Sequence, residues 1–287
     1  MQHGHSPTKP SHLFALLLLC FALFLSSCGR DYGHLARYDL TAPGATSLQL
    51  NSSQTFLVGA NRMNTFRLYR DGKECGETTR TLVRIPTLPE TWRTYDGQAN
   101  WIDFLLKPEG LFMTRAHNEE YKSWIEFPTA VELSPMIMDQ NIRHERESPF
   151  YTWADTWTTR TGTMAMQVWF AGEESIDTEL GHLDRCVRID SHFDVNLNFG
   201  LPFTASMDQR QWVHPDYGEV VRDLDGSFGI VGVPLKSFTS RQAIIGSRRL
   251  TDNERLPLEK VAPPTASKKP PARKLFGSRR PQSTRTS

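Results

Sequence analysis

Val187-Arg188-Ile189-Asp190-Ser191-His192-Phe193-Asp194-Val195-Asn196-Leu197-Asn198-Phe199 alternates apolar and polar residues almost without fault. Val187, Ile189, Phe193, Val195, Leu197 and Phe199 fall on one face, interrupted only by Ser191, and Arg188, Asp190, His192, Asp194, Asn196 and Asn198 fall on the other. A period of two is the signature of a strand with one face on a core and one in water. Thirteen residues in one strand would span ~44 Å, so this strand must bend, turn back or belong to a large curved sheet.

Working outward, the same pattern recurs. Met164, Met166, Val168 and Phe170 share a face, and Thr152, Ala154, Thr156 and Thr158 alternate with Tyr151, Trp153 and Trp157. Asp71-Gly72 reads as a turn between strands at 65–70 and 73–85, Lys107-Pro108-Glu109-Gly110 as one between 101–106 and 111–115, and Asp225-Gly226 as one between 219–224 and 227–233. Residues 127–149 carry Pro128, Pro135 and Pro149, a short apolar stretch and the charged run 143–147. They read as a surface crossing with one helical turn that divides the sheet. The expected fold is mainly β, a curved antiparallel sheet or half-barrel over residues 38–250, followed by a disordered Pro/Lys/Arg-rich tail over 251–287.

Charge gives a similar division. The 287 residues hold 33 basic and 32 acidic side chains. Residues 263–287 contain Lys268, Lys269, Arg273, Lys274, Arg279, Arg280 and Arg285 and no acid, while 28–262 carries 25 basic against 32 acidic residues. A mildly acidic body gives no warrant for a nucleic-acid-binding core, and no nucleic-acid partner is expected. The tail suits contact with anionic envelope polymers or lipids, where each cation contributes roughly 1 kcal/mol.

The beginning of the chain reads as an address. The run 13–25 is apolar and is followed by Ser26-Ser27-Cys28. As a helix it rises only ~20 Å, short of the ~30 Å hydrocarbon layer, so residues 1–27 are expected to be cleaved rather than to span. Leu25-Ser26-Ser27-Cys28 resembles the bacterial lipobox, which implies lipidation of Cys28, with 28–37 as a tether. The second and third chains of such an anchor make it effectively permanent. Gly29 follows the cysteine where aspartate signals inner-membrane retention in some bacteria, which points to the periplasmic face of the outer membrane. With Cys20 lost and Cys28 modified, Cys75 and Cys186 remain in an oxidising compartment, either bridged or as two separate buried thiols.

Two later segments bring a family into view. Gly181-His182-Leu183-Asp184-Arg185-Cys186-Val187-Arg188-Ile189, followed by Trp212-Val213-His214-Pro215-Asp216-Tyr217-Gly218-Glu219-Val220-Val221, resembles the late strands of the TapB-like proteins. These are bacterial secreted or lipid-anchored proteins in which a glycine-led strand with a frequent cysteine precedes an aromatic, proline, glycine-valine hairpin. They are similar in turn to the curved half-barrel of lipoprotein carriers. The likeness covers residues 38–233. It departs at Tyr38-Asp39-Leu40, where the family carries an aromatic-Pro-Leu and a following Gly-x-x-Trp. The resemblance implies an envelope-facing sheet and no catalytic residues.

Chemistry is sparse. His182, His192 and His214 lie near Asp184, Asp194 and Asp216, but His3, His5 and His12 are expected to leave with the signal and the rest of the chain has no HExxH, paired CxxC or tight His-x-His spacing, so no metal and no cofactor are expected. A G-x-S-x-G elbow is absent, and adjacent carboxylates such as Glu119-Glu120 and Glu173-Glu174 point apart on a strand. The expected function is therefore a non-enzymatic, lipid-anchored protein of the bacterial cell envelope with a binding or structural role. The alternative is a carrier or sensor of a lipid or other apolar ligand, since a curved sheet must have its concave face covered and the chain offers little amphipathic helix to do so.

Overall fold

The computed structural model describes residues 48–259, apart from 89, 98–99, 120–121, 155–156, 199–200 and 231–232. Cys28 and the seven basic tail residues between 268 and 285 lie outside the described residues.

Along the chain run β1 (Gln49–Asn51), α1 (Ser52–Leu57), β2 (Arg62–Arg70), β3 (Lys73–Arg84), β4 (Thr91–Asp96), β5 (Asn100–Lys107), β6 (Gly110–Asn118) and β7 (Ser123–Pro135). There follow β8 (Ile137–Asp139), β9 (His144–Ala154), β10 (Trp157–Thr178), β11 (Gly181–Asn198), β12 (Pro202–His214), β13 (Gly218–Ile230), β14 (Val233–Arg249) and α2 (Asp252–Glu259). Twelve of the strands form a closed antiparallel barrel in the order β10-β11-β12-β13-β14-β2-β3-β4-β5-β6-β7-β9. The expected open half-barrel is thus corrected to a closed one. Closure comes from β14, which pairs with β2 from Ser240↔Arg70 to Arg249↔Arg62 and leaves neither strand as a free edge.

The surface crossing expected at 127–149 is also corrected: most of it is strand. β7 pairs with β9 only over Ser123–Glu126, opposite Tyr151–Ala154, after which the two diverge. Pro128 and Pro135 follow that short pairing on β7, and Pro149 precedes it on β9. A proline is tolerated where no ladder bond is needed from its nitrogen. The two-stranded sheet of β1 and β8 lies beside this gap, tied to β10 by Gln140 Nε2, which donates to the Ala171 carbonyl at 2.9 Å.

Two Asp-Gly pairs behave differently. Asp71 and Gly72 take φ of 45° and 73° and close the β2–β3 hairpin as expected of the two positive-φ positions of a tight turn. Asp225-Gly226 is not a turn; β13 runs straight through it, with Asp225 opposite Asp208 and Gly226 opposite Met207. A Cβ on Gly226 would come within 2.5 Å of the Phe238 ring, so the glycine gives that ring room inside the barrel. Gly226→Ala is expected to lower stability by about 1–3 kcal/mol through overpacking. A urea midpoint unchanged from the parent would contradict this packing.

The long β10–β11 hairpin supplies the bend required by its length. Its ladder shifts register between Phe170 and Gly172, where Gly172 has φ of 143°, and again between Glu174 and Ile176. Beyond those bulges the hairpin forms an arm across the outside of β12, β13 and β14. Leu183, Cys186 and Ile176 pack in one cluster with Trp212 and Val221, and Arg67 on β2 meets Glu179 at the arm's tip at 2.6 Å. Trp212 faces outward yet is only 6% exposed, because the arm covers it and Glu174 accepts its indole N–H at 2.9 Å.

The tail expected from 251 onward begins with a helix. Thr251 and Glu254 form a capping box, with the Glu254 carboxylate accepting from the Thr251 N–H at 3.0 Å and from its hydroxyl at 2.9 Å. Together with Arg248, these bonds hold the Glu254 carboxyl down at about 2. Tyr95 Oη donates to the Leu258 carbonyl at 3.0 Å and docks α2 on the barrel wall.

Candidate ligand cavity

The inward face of β11 carries Ile189, Ser191, Phe193 and Val195, as its alternation requires. Twelve strands enclose more space than their side chains fill, since an eight-stranded barrel is already just filled. Part of the excess is taken by α1, whose Asn51 N-cap accepts the Gln54 N–H at 3.0 Å. Phe56 of α1 meets Phe104 of β5 edge-on at 5.2 Å. What is left is a cavity of about 290 Å³.

Its lining is divided along the barrel. The inner face of β12 reads Val213, Gln211, Gln209, Met207, Ala205, Phe203, so two polar steps give way to three apolar ones. Neighbouring strands keep this order: Ser191 lies opposite Gln209, and Phe193 opposite Met207. On β13 Arg222 pairs with Gln211, and on β14 Gln242 pairs with Arg222. The apolar half is walled by Phe127, Phe150, Met113, Met164, Met166 and Val195.

The polar half is an ion network inside the barrel. Glu219 is held by Arg80, by Arg222 at 2.5 Å and by Gln211 Nε2 at 2.6 Å. Arg80 also donates to Gln242 at 2.7 Å and to Asp96 at 3.4 Å, and its guanidinium lies 5.1 Å over the Phe66 ring. Burial opposes the charge on Glu219, but Arg222 and Arg80 outweigh it and hold the carboxyl below its ordinary value. Arg222 has the reverse balance: burial and the like charge of Arg80 lower its pKa despite Glu219. Its Nε is buried and has no hydrogen-bond partner among the described residues.

The histidines considered for a metal site differ in setting: His182 is exposed, His192 half-buried and His214 buried. His192 bonds to Asp208 at 2.8 Å and Asp194 at 3.1 Å, and the Asp208 bond is the main cause of its raised pKa. His182 sits between Asp177 and Asp184 at 2.7 and 3.2 Å, and His214 Nδ1 accepts the Asp216 N–H at 3.1 Å. Among the described residues no group of three or more His, Cys, Asp or Glu side chains is arranged to hold a metal ion.

Cys75 and Cys186 are free thiols in the structure, each turned to a nearby carbonyl, of Leu68 at 3.1 Å and Leu183 at 3.6 Å. Both belong to the apolar cluster under the arm. Burial, with Asp184 and Glu174 nearby, pushes the Cys186 thiol up to about 11. At pH 8 its thiolate fraction is then ~0.001, so alkylation of the folded protein is expected to spare Cys186 and to modify it only after unfolding. Peptide mapping in which Cys186 labels as fast as Cys75 would contradict that environment.

The belt residues Arg80, Gln209, Gln211, Glu219, Arg222 and Gln242 were not among the sequence candidates. Their signal is a polar residue at an inward position of a strand otherwise apolar on that face, and Ser191 was the one visible instance.

One wall of the barrel is charged on its outside. Outward positions at successive levels carry Arg188, Asp190, His192 and Asp194 on β11, Asp208 and Arg210 on β12, and Asp223 and Asp225 on β13. A lipid-facing barrel needs an uninterrupted apolar band ~25 Å tall, which these charges preclude on this wall. Among the described residues no helix is long and apolar enough to cross a membrane.

No protein family matches the chain, and no curated protein does. Among solved structures it is similar to the hypothetical lipoprotein YmcC from Escherichia coli, at 11% identity and a TM-score of 0.34, covering 70% of this chain and 91% of that one.

Proposed function

We propose that this is a non-catalytic, lipid-anchored binding protein of the bacterial cell envelope whose barrel holds one apolar chain. The observation that carries the reading is the cavity of about 290 Å³ lined by phenylalanine, methionine and valine. An apolar cavity of ~150 Å³ takes up benzene, so this one suits a chain of about a dozen carbons. The lipobox at Cys28 supports tethering through that residue to a membrane, and Gly29 favours the periplasmic face of the outer membrane. The cation-rich tail suits anionic envelope material as a second contact. No nucleic acid, metal or cofactor enters this reading.

Uptake of N-phenyl-1-naphthylamine, whose fluorescence rises in apolar surroundings, tests the cavity. The expected result is saturation at one probe per chain in the parent and no rise with Met207→Trp, which fills the apolar half. Equal uptake by a folded Met207→Trp variant would place the probe elsewhere and overturn the reading.

A further inference from the structure

We infer that the small sheet of β1 and β8 is the face on which this protein sits against the lipid bilayer, with Leu48, Ile137 and Ile142 reaching the apolar edge of the membrane. The inference rests on the proposed anchor at Cys28 and adds the orientation that the anchored barrel takes.

Four observations lead to it. First, the sheet carries apolar side chains that the barrel does not cover. Leu50 and Met138, opposite each other, are buried in one cluster with Val168 and Phe170, whereas Leu48, Ile137 and Ile142 are exposed. The Leu48 carbonyl accepts the Gln140 N–H at 3.0 Å, and the Ile142 N–H donates to the Asp139 carbonyl at 3.2 Å, so both sit at the end of β8 that lies ~10 Å from Ile137. Single exposed aliphatics are ordinary, but a group of them on one small element marks a contact. Second, a cation and an indole border the group. Arg143 follows Ile142, and its guanidinium lies 4.7 Å over the Trp169 ring. Tryptophan and a long cationic side chain are the residue types that settle at headgroup level beside an inserted apolar surface.

Third, the tether enters the fold here. Leu48, the first described residue, comes twenty residues after Cys28, and a flexible chain of that length spans roughly 25 Å on average. Another exposed group, Leu201, Val233 and Leu235, lies at the far end of the barrel. Leu201 adjoins the Asn198↔Pro202 pair, near the level of Gly162 on β10, whereas the small sheet is tied to Ala171, nine residues and ~30 Å along that strand. The tether does not lead there. Fourth, the sheet borders the cavity. Ser52 Oγ donates to the Pro135 carbonyl at 2.6 Å and Gln140 Nε2 to that of Ala171, so the sheet and its first following residue bridge the end of β7 and β10. Val168, clustered with Leu50 and Met138, lines the cavity itself. Seated on this face, the protein sets the cavity's side wall against a source of apolar chains.

Photolabelling of the protein purified with its anchor tests the inference. The vesicles are phosphatidylethanolamine and phosphatidylglycerol with a trace of phosphatidylcholine carrying a diazirine in its acyl chain, and adducts are located by peptide mass spectrometry. Adducts are expected at 48–51 and 137–142. They should fall about tenfold in the double variant Ile137→Ser, Ile142→Ser, while uptake of N-phenyl-1-naphthylamine by the Cys28→Ala chain is unchanged by the same two substitutions. Adducts at Leu201, Val233 and Leu235 in place of the small sheet, or confined to the peptide bearing Cys28, would overturn the inference and leave the anchor and the cavity readings standing. A dimer that the double variant dissociates would assign the patch to a second copy and overturn it too. If Cys28 carries no lipid and the protein leaves the vesicles, the anchor reading fails and this inference with it. Should the double variant not fold, the adduct map of the parent alone decides.

Discussion

Asp103→Ala is expected to lower the stability of the barrel by about 3–5 kcal/mol, enough to remove most of the folded population of a marginal domain. Asp103 and Arg93 on the outer wall are both 0% exposed, and the carboxylate accepts from Arg93 at 2.5 and 2.9 Å and from Arg115 at 2.7 Å. Arg93 is further sandwiched on Trp101, its guanidinium 4.0 Å from the ring centroid. Removing the carboxylate strands a buried guanidinium. Glu132→Ala provides the contrast, because its partner Arg146 is 43% exposed and such pairs contribute less than about 1 kcal/mol. Urea unfolding in which the two variants lose equal stability would contradict this assignment of the burial.

Glu219→Gln has the second large effect, again about 3–5 kcal/mol, since it leaves Arg80 and Arg222 facing each other inside the barrel. Its pH dependence has a definite sign. The folded carboxyl titrates below its ordinary 4.5, so on acidification the unfolded chain takes up this proton first. Glu219 therefore contributes fully above 4.5, and its contribution is lost as pH falls through the lowered folded value. Stability of the parent should drop over that acid window, and the drop should be shallower in Glu219→Gln. Parallel acid limbs for parent and variant would show that Glu219 is not held in this way.

The strands were legible wherever one face met a core and the other met water. Residues 187–197 show this, as do Met164 to Phe170, because side-chain period alone decides those positions. Closure was not legible. Whether β14 finds β2 is a pairing between residues more than 150 apart, and nothing local to either strand states it. The Asp-Gly pairs show the same limit from the other side. Asp71-Gly72 turns and Asp225-Gly226 does not, because the second glycine answers a ring on the next strand rather than a backbone dihedral. Prolines at 128, 135 and 149 were read as breaking a sheet when they sit where two barrel strands part.

The cavity was legible only as a question of what covers a concave face. Its polar belt was hidden because Ser191, Gln209, Arg222 and Gln242 come from four strands and become one feature only when registered side by side. The outward-facing Trp212, Leu183 and Cys186 were obscured for a related reason: the arm that covers them exists because two bulges redirect a hairpin, and bulges leave little trace in an alternation pattern.

The central claim is that the barrel's interior is a ligand chamber rather than packed core. Native mass spectrometry of the full chain with a tenfold excess of 1-dodecanol tests it most directly. The account predicts a single 1:1 adduct in the parent and none in a folded Met207→Trp variant. No adduct in the parent, or the same adduct in both, would contradict it.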